Sequence, residues 1–261
     1  FVGAFNGTIH QISNIDAIVF DAATAVTFAL DDTDSSSHNP LGNVLITTNV
    51  AGASLTLTQA GEGSTYWYTS GWTFAGSHTF DLTINTHAGD YRDFVIMDDL
   101  SQASHFGNVH INTHGGNDTI AGLGAHVVID GGDGVDMLVT NGNQAAAGID
   151  FDLLNSPNWA AFGYESVVGI EQVSMAAGAF DDTLSGGNYY DLIQGYSGND
   201  SINGRGGNDI LTGMTGNDTI RGGSDQDYID GGVDNDKLYG DDGNDQITAS
   251  DGDDWVEGGN D

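Results

Sequence analysis

Nine aspartates follow one another at intervals of nine residues without a gap: Asp182, Asp191, Asp200, Asp209, Asp218, Asp227, Asp236, Asp245 and Asp254. Two residues after each stands an aliphatic, in order Leu184, Ile193, Ile202, Leu211, Ile220, Ile229, Leu238, Ile247 and Val256. Carboxylates at a fixed spacing are oxygen donors for a hard cation, and the invariant aliphatic gives each donor an anchor in a core. Upstream, Asp118 and Asp136 form a second, shorter set, eighteen residues apart.

The element that must position these carboxylates is the repeating unit itself. Written out, residues 177–257 run AGAFDDTLS, GGNYYDLIQ, GYSGNDSIN, GRGGNDILT, GMTGNDTIR, GGSDQDYID, GGVDNDKLY, GDDGNDQIT and ASDGDDWVE. Glycine at positions one, two and four supplies crowded or left-handed backbone, and turns of this kind aim main-chain dipoles into a concavity. The pattern predicts six residues of turn and three of strand, with the aliphatic at position eight facing inward and its neighbours outward. One inward residue per strand makes a thin core.

This is the pattern G-G-x-G-x-D-x-U-x, and nine copies in phase resemble the calcium-binding nonapeptide repeats of RTX proteins. The resemblance implies a parallel β-roll with two nonapeptides per coil, so that units eighteen residues apart stack on one edge. The aspartates then sort into two columns, one of Asp182, Asp200, Asp218, Asp236 and Asp254, the other of Asp191, Asp209, Asp227 and Asp245. Stacked strands lie about 4.8 Å apart, where unit charges repel by about 3 to 4 kcal/mol at an effective dielectric of 20. Such columns need cations. Calcium suits them because it accepts six to eight oxygens in flexible geometry, whereas magnesium demands a near-ideal octahedron. One ion between each neighbouring pair gives four sites in the first column and three in the second, about seven Ca2+ in the main block. Asp118 and Asp136 could share one more.

Among 261 residues there are 40 glycines, 38 acids and only four basic residues, Arg92, Arg205, Arg221 and Lys237, for a formal charge of −34. Such a chain is repelled by nucleic acid and by anionic lipid. An acidic, glycine-rich composition is also that of disordered chains, a reading that the strict period overturns when calcium is present. There is no cysteine, and no window approaches the ~18 apolar residues of a membrane span. Phe1 opens the chain without a signal-like segment and Asp261 ends it inside a repeat, as in a piece cut from a longer protein.

The fold class expected is all-β, a parallel β-solenoid with the RTX β-roll at its C-terminal end. Residues 1–103 read as short strands between Gly, Asn, Asp and Ser punctuation, at 17–20, 25–30, 43–47, 54–58, 78–85 and 94–97. Ile84-Asn85-Thr86-His87 returns as Ile111-Asn112-Thr113-His114, three nonapeptides later, so a coil period begins before the glycine–aspartate code. Residues 104–139 form a first short block (THGGNDTIA, GLGAHVVID, GGDGVDMLV), whose middle unit has Val127 in place of aspartate and leaves the opposite edge without a site. Residues 140–176 are a β connector, a bulge of the solenoid with longer strands at 148–153 and 166–173. Residues 177–261 are the main roll.

Other chemistry is thinner. Of the eight histidines, His105, His110 and His114 lie closest together, but neither cysteine nor an H-E-x-x-H helix accompanies them, and they read as turn and surface residues. The aromatic run from Tyr66 to Phe74 suits either a core cover or a patch for self-association or a cell-surface polysaccharide. No G-x-S-x-G elbow is present, and Asp32-Thr33-Asp34 lacks the rest of an EF-hand loop. The resemblance implies a secreted or cell-surface calcium-binding structural module, exported by a type I system and folded by external calcium, in an adhesin or surface-layer type protein rather than an enzyme. The rival reading is the C-terminal folding and secretion module of an extracellular lyase, protease, lipase or toxin whose catalytic domain lies elsewhere.

Overall fold

The computed structural model describes residues 17–20, 25–30, 45–48, 51–59, 66–68, 73–76, 79–86, 89, 91–97, 106–122, 127–142, 145, 147–155 and 157–260. Among them are twenty-four strands, one short 3-10 turn and no α-helix. The strand pairs are parallel throughout. Two compact units result, Phe1–Asp136 with Gly163–Ile170 and Met137–Phe162 with Glu171–Asp261.

In the first unit the chain winds through three sheets. Strands β1 (Ala17–Phe20), β3 (Leu45–Thr48) and β6 (Thr73–Gly76) form one. The second holds β2 (Ala25–Leu30), β4 (Ala53–Gln59), β7 (Phe80–Asn85), β9 (Phe106–Asn112), β11 (Val127–Asp130) and β14 (Tyr164–Val168). Strands β5 (Tyr66–Tyr68), β8 (Phe94–Met97) and β10 (Thr119–Gly122) pair in the third. From β3 to β8 each sheet is visited in turn, so that Ala53 stands opposite Phe80, and Ile84 opposite its echo Ile111. From β9 onward one side of the coil drops out and the repeat shortens by one nonapeptide, with Val109 opposite Val127. Strands β4, β7, β9 and β11 of the second sheet each bury an aliphatic pair: Leu55 and Leu57, Leu82 and Ile84, Val109 and Ile111, Val127 and Ile129. Each is worth about 1.5–3 kcal/mol of burial.

The second unit has two sides. One sheet contains β12 (Met137–Asn141), β15 (Gln172–Gly178), β17 (Leu192–Ser197), β19 (Ile210–Thr215), β21 (Tyr228–Val233) and β23 (Gln246–Asp251). The other contains β13 (Asp150–Asp152), β16 (Thr183–Ser185), β18 (Ser201–Gly206), β20 (Thr219–Ser224), β22 (Lys237–Asp242) and β24 (Trp255–Glu257). From β15 and β16 onward strands pair eighteen residues apart, as Ile193 with Leu211 and Ile202 with Ile220, so two nonapeptides make one coil. The inward column Leu184, Ile202, Ile220 and Leu238 is almost fully buried, as are Ile193, Leu211 and Ile229. Phe151 continues the first column opposite Leu184 and is packed edge-on by Trp159 and Phe162, with ring centroids 4.8 and 5.5 Å away.

Three expectations are corrected. Strands of the roll are six residues long rather than three. Their ladder skips position one and resumes at position two, as between Asn203 and Arg205, so the true turn is only positions four to six. Residues 166–173 are not one strand, because Gly169 turns left-handed (φ 62°) and separates β14 from β15, which lie in different sheets. Residues 148–153 keep strand only at Asp150–Asp152, since the Asp152 carboxylate accepts the amides of Leu154 and Asn155 and bends the chain.

Candidate metal centre

Register alone brings the aspartates into the two expected columns. From Asp182 to Asp236 each aspartate turns both main-chain groups to the next coil: Asp200 N–H donates to Asp218 Oδ1 (2.8 Å), and its carbonyl accepts the amide of Thr219 (2.8 Å). The same Oδ1 contact links Asp182 to Asp200, Asp218 to Asp236 and Asp236 to Asp254. On the other edge it links Asp191 to Asp209, Asp209 to Asp227 and Asp227 to Asp245. One carboxylate oxygen per rung is therefore committed to holding the preceding coil.

The second oxygen explains the glycine at position one. At Gly195 the place a β-carbon would take is filled by Asp200 Oδ2 and by the carbonyl oxygen of Gly213 in the following coil. Any larger residue would strike its own unit's aspartate. The pair recurs as Asp209 with Gly222, Asp218 with Gly231, Asp227 with Gly240, Asp236 with Ala249, and Asp245 with Gly258. Each rung thus presents a carboxylate and a carbonyl oxygen converging on one small space.

In that space Oδ2 has no hydrogen-bond partner at Asp200, Asp209, Asp218, Asp227, Asp236 and Asp245. A buried carboxylate oxygen left bare is costly, and it marks where a further group belongs. Burial, reinforced by the neighbouring carboxylates, raises Asp209 from its ordinary 3.8 to about 8 and Asp218 to about 7. Burial likewise lifts Asp191, Asp200 and Asp227 to about 6 and raises Asp182 and Asp236. Orphaned oxygens, convergent carbonyls and crowded negative charge fit a hard cation such as calcium. No three His, Cys, Asp or Glu side chains cluster among the described residues, so main-chain oxygens must complete any coordination shell.

The first rungs differ. Asp182 Oδ2 accepts the Gly178 amide (3.3 Å) and Asp191 Oδ2 the Gly187 amide (2.6 Å), so neither has a bare oxygen. Beside Asp191, Arg205 reaches back across two coils. Its guanidinium makes a bidentate pair with Asp152 (2.7 and 2.6 Å) and donates to the Gly186 carbonyl (3.0 Å). That pair holds Asp152 down at about 2, and the charge of Arg205 also lowers Asp191. Outside the columns a polar ladder at position five joins Asp181, Asn199, Asn217, Asn235 and Asp253, each main-chain amide donating to the side-chain Oδ1 of the residue one coil before.

In the first unit Asp118 and Asp136 are buried and in register, Asp118 N–H donating to Asp136 Oδ1 (2.8 Å). The sequence reading missed a third member. Asp93 is fully buried and donates its N–H to Asp118 Oδ1 (2.7 Å). Its only signal was an aspartate two residues before the aliphatic Val95, twenty-five residues ahead of Asp118 and so out of phase. Across the coil Val127 stands in register between Val109 and Tyr164, and that edge carries no carboxylate at this position. His110 is exposed on β9, while His114 lies past the strand end in a left-handed turn (φ 65°); His105 and Asp32–Asp34 fall outside the described residues. Of the aromatic run, only the backbones of 66–68 and 73–74 are described.

Fold and site together define a parallel β-roll with a cation-seeking carboxylate column along each edge. Four copies of the RTX calcium-binding nonapeptide repeat match the chain, at residues 107–143, 177–211, 203–238 and 231–261. These segments belong to that repeat family, and the roll is an RTX β-roll. No curated protein and no solved structure matches the chain.

Proposed function

We propose that this chain is an extracellular, calcium-dependent structural module, without catalytic activity of its own, in a secreted protein of adhesin or surface-layer type. The observation that carries the reading is the set of six buried, unpartnered Oδ2 atoms in the main block, each facing a carbonyl of the next coil. Six calcium ions in the main block match them one for one, with the first rungs closed by amides and by Arg205. Calcium, when bound, supplies the positive charge and the multiple oxygen coordination that these rungs lack.

Everything else is done by the chain. The repeats after residue 176 hold nineteen acids against three bases and bury one aliphatic per nonapeptide, so repulsion outweighs the core when no cation is present. Ligands that bind only the folded state stabilise it by mass action, and coupled rungs make the response steep. Extracellular sites of this class respond at about 0.1–1 mM calcium, the difference between the inside and the outside of a cell. Export of an unfolded chain and folding outside follow from that difference. The adhesin or surface-layer context rests on the first unit, which is also built of stacked parallel coils. Calcium titration by calorimetry and circular dichroism tests the reading. Six sites filling together with a gain of β structure support it, and a chain that binds no calcium overturns it.

A further inference from the structure

Along the roll each rung joins two coils in one way: a carboxylate oxygen of one coil faces the position-one carbonyl of the next, with a bare Oδ2 between them. The first position-one carbonyl on the Asp191 edge is that of Gly186. Thirteen residues before it, where the aspartate of the preceding coil would stand, is Val173, whose N–H donates to Asp191 Oδ1 (2.7 Å) as an aspartate's does elsewhere. Valine has no side-chain oxygen to offer a metal. The Gly186 carbonyl nevertheless meets a positive charge, because the Arg205 guanidinium donates to it (3.0 Å) and holds the Asp152 carboxylate through two further hydrogen bonds (2.7 and 2.6 Å). Carbonyl, carboxylate and cation are all present at this rung, and the cation is part of the chain.

Arg205 stands on β18, Gly186 directly follows β16 and Asp152 lies on β13, three strands that are consecutive in one sheet. One side chain thus ties three coils. The coil it is tied to requires no ion either, since Asp182 Oδ2 accepts the Gly178 amide and Asp191 Oδ2 the Gly187 amide. Above it Phe151, opposite Leu184, is backed by Trp159 and Phe162. Asp200 lies five residues before Arg205 and Asp209 four after it, and these are the first aspartates on the two edges of the roll whose Oδ2 is bare. Docking Arg205 stacks the strand between them and brings both carboxylates into place without an ion. The other arginine of the roll, Arg221, pairs with Asp241 at the exposed surface (3.1 Å) and lies over the Tyr239 ring.

We propose that Arg205 is a built-in cation that takes the place of calcium at the entry of the roll, and that its docking on Asp152 and Gly186 is the nucleus from which calcium folds the block, coil by coil, from β18 toward β24. Closing a coil costs chain entropy before its contacts form, and a tie that needs no ion lets the first two calcium sites form on a coil already closed. Each filled rung then presents the next. The inference rests on the main block binding calcium as proposed above.

The test is refolding of the whole chain after a jump from chelator to millimolar calcium, followed by circular dichroism and by pulse-labelling hydrogen exchange. Strand β18 is expected to gain protection before β22 and β24; simultaneous protection, or protection of β22 and β24 first, overturns the proposal. Arg205→Ala is expected to slow refolding about fivefold and to leave the unfolding rate in chelator unchanged, because a contact made in the nucleus acts on folding alone. Faster unfolding with unchanged refolding would make the tie merely structural and contradicts it. Asp152→Asn is expected to slow refolding likewise, and the double variant no more than either single one; additive slowing counts against the pair. Arg221→Ala is the comparison, expected to refold at the unaltered rate, and equal slowing in it would make the effect one of net charge and overturn the role of Arg205. Should Arg205→Ala fail to fold, the order of protection in the unaltered chain still decides. Calcium bound per chain, counted by equilibrium dialysis, is expected to be the same in Arg205→Ala as in the unaltered chain. If the unaltered chain binds none, the calcium reading of the main block fails, whatever Arg205 does.

Discussion

Along β7, β9, β11 and β14 of the first unit, the residues in register at the start of each strand's buried face are Leu82, Val109, Val127 and Tyr164, all buried. Along both edges of the second unit the corresponding residues are aspartates, just as deeply buried through most of their length. Two residues further on, both units carry the same inward aliphatic, Ile84, Ile111 and Ile129 in one, Ile202, Ile220 and Leu238 in the other. The difference teaches that the coil itself does not require calcium. A parallel coil closes when position six is apolar, and replacing that residue by a carboxylate trades a hydrophobic gain of about 1.5–3 kcal/mol for a repulsion of about 3–4 kcal/mol per stacked pair. The second unit is therefore a fold whose core has been made conditional.

The largest expected effect follows from removing the ion. In excess chelator at neutral pH, strands β17 to β24 are expected to lose amide protection while β7, β9 and β11 keep theirs, measured by hydrogen exchange. Loss of both together would erase the distinction between the units. The next effect in size is that of a single carboxylate. Asp218→Asn retains the Oδ1 acceptor for Asp200 N–H and places an amide donor toward the Gly231 carbonyl. It is expected to weaken the block in millimolar calcium, yet to raise the helix-free β signal remaining in chelator, because the neutral side chain relieves repulsion on Asp200 and Asp236. Circular dichroism under both conditions checks it.

Protons should imitate the cation, less effectively. Burial raises Asp218 to about 7 and Asp209 to about 8 in the fold, whereas the unfolded chain titrates near the ordinary 3.8. Between these limits the metal-free fold binds more protons than the unfolded chain, so its stability falls as pH rises. In chelator the block is expected to gain structure on acidification from pH 8 to pH 6. Calcium binding at pH 7 is expected to release protons, which calorimetry in buffers of different ionisation enthalpy detects. The smallest effect concerns the Arg205–Asp152 pair, half sheltered at 23% and 30% side-chain exposure. Arg205→Ala is expected to cost about 1 kcal/mol and to loosen β13 without changing the calcium count. The pair's contribution is present above pH 4 and is lost as pH falls toward 2, where Asp152 protonates.

Much of this was legible in the sequence because the repeat is local: nine residues carry turn, ligand and core, and a constant period fixes the eighteen-residue stacking. Even the three-sided coil left a trace, the Ile84–His87 echo at Ile111–His114. What stayed hidden depends on where the chain leaves the period. Asp93 sits two residues out of phase in a segment without the glycine code. Asp152 meets Arg205 from fifty-three residues away because of the path the connector takes. The amide closure of Asp182 and Asp191 concerns which atom satisfies which, and residue type alone does not say that. The six-residue strands were missed because glycine at position one looks like turn, whereas it is a gap in the ladder, in constant register, that makes room for a carboxylate.

The most direct measurement is anomalous diffraction from crystals grown in millimolar calcium. The account expects a peak within coordination distance of Oδ2 in Asp200, Asp209, Asp218, Asp227, Asp236 and Asp245. Absence of peaks along the two columns of the second unit would contradict it.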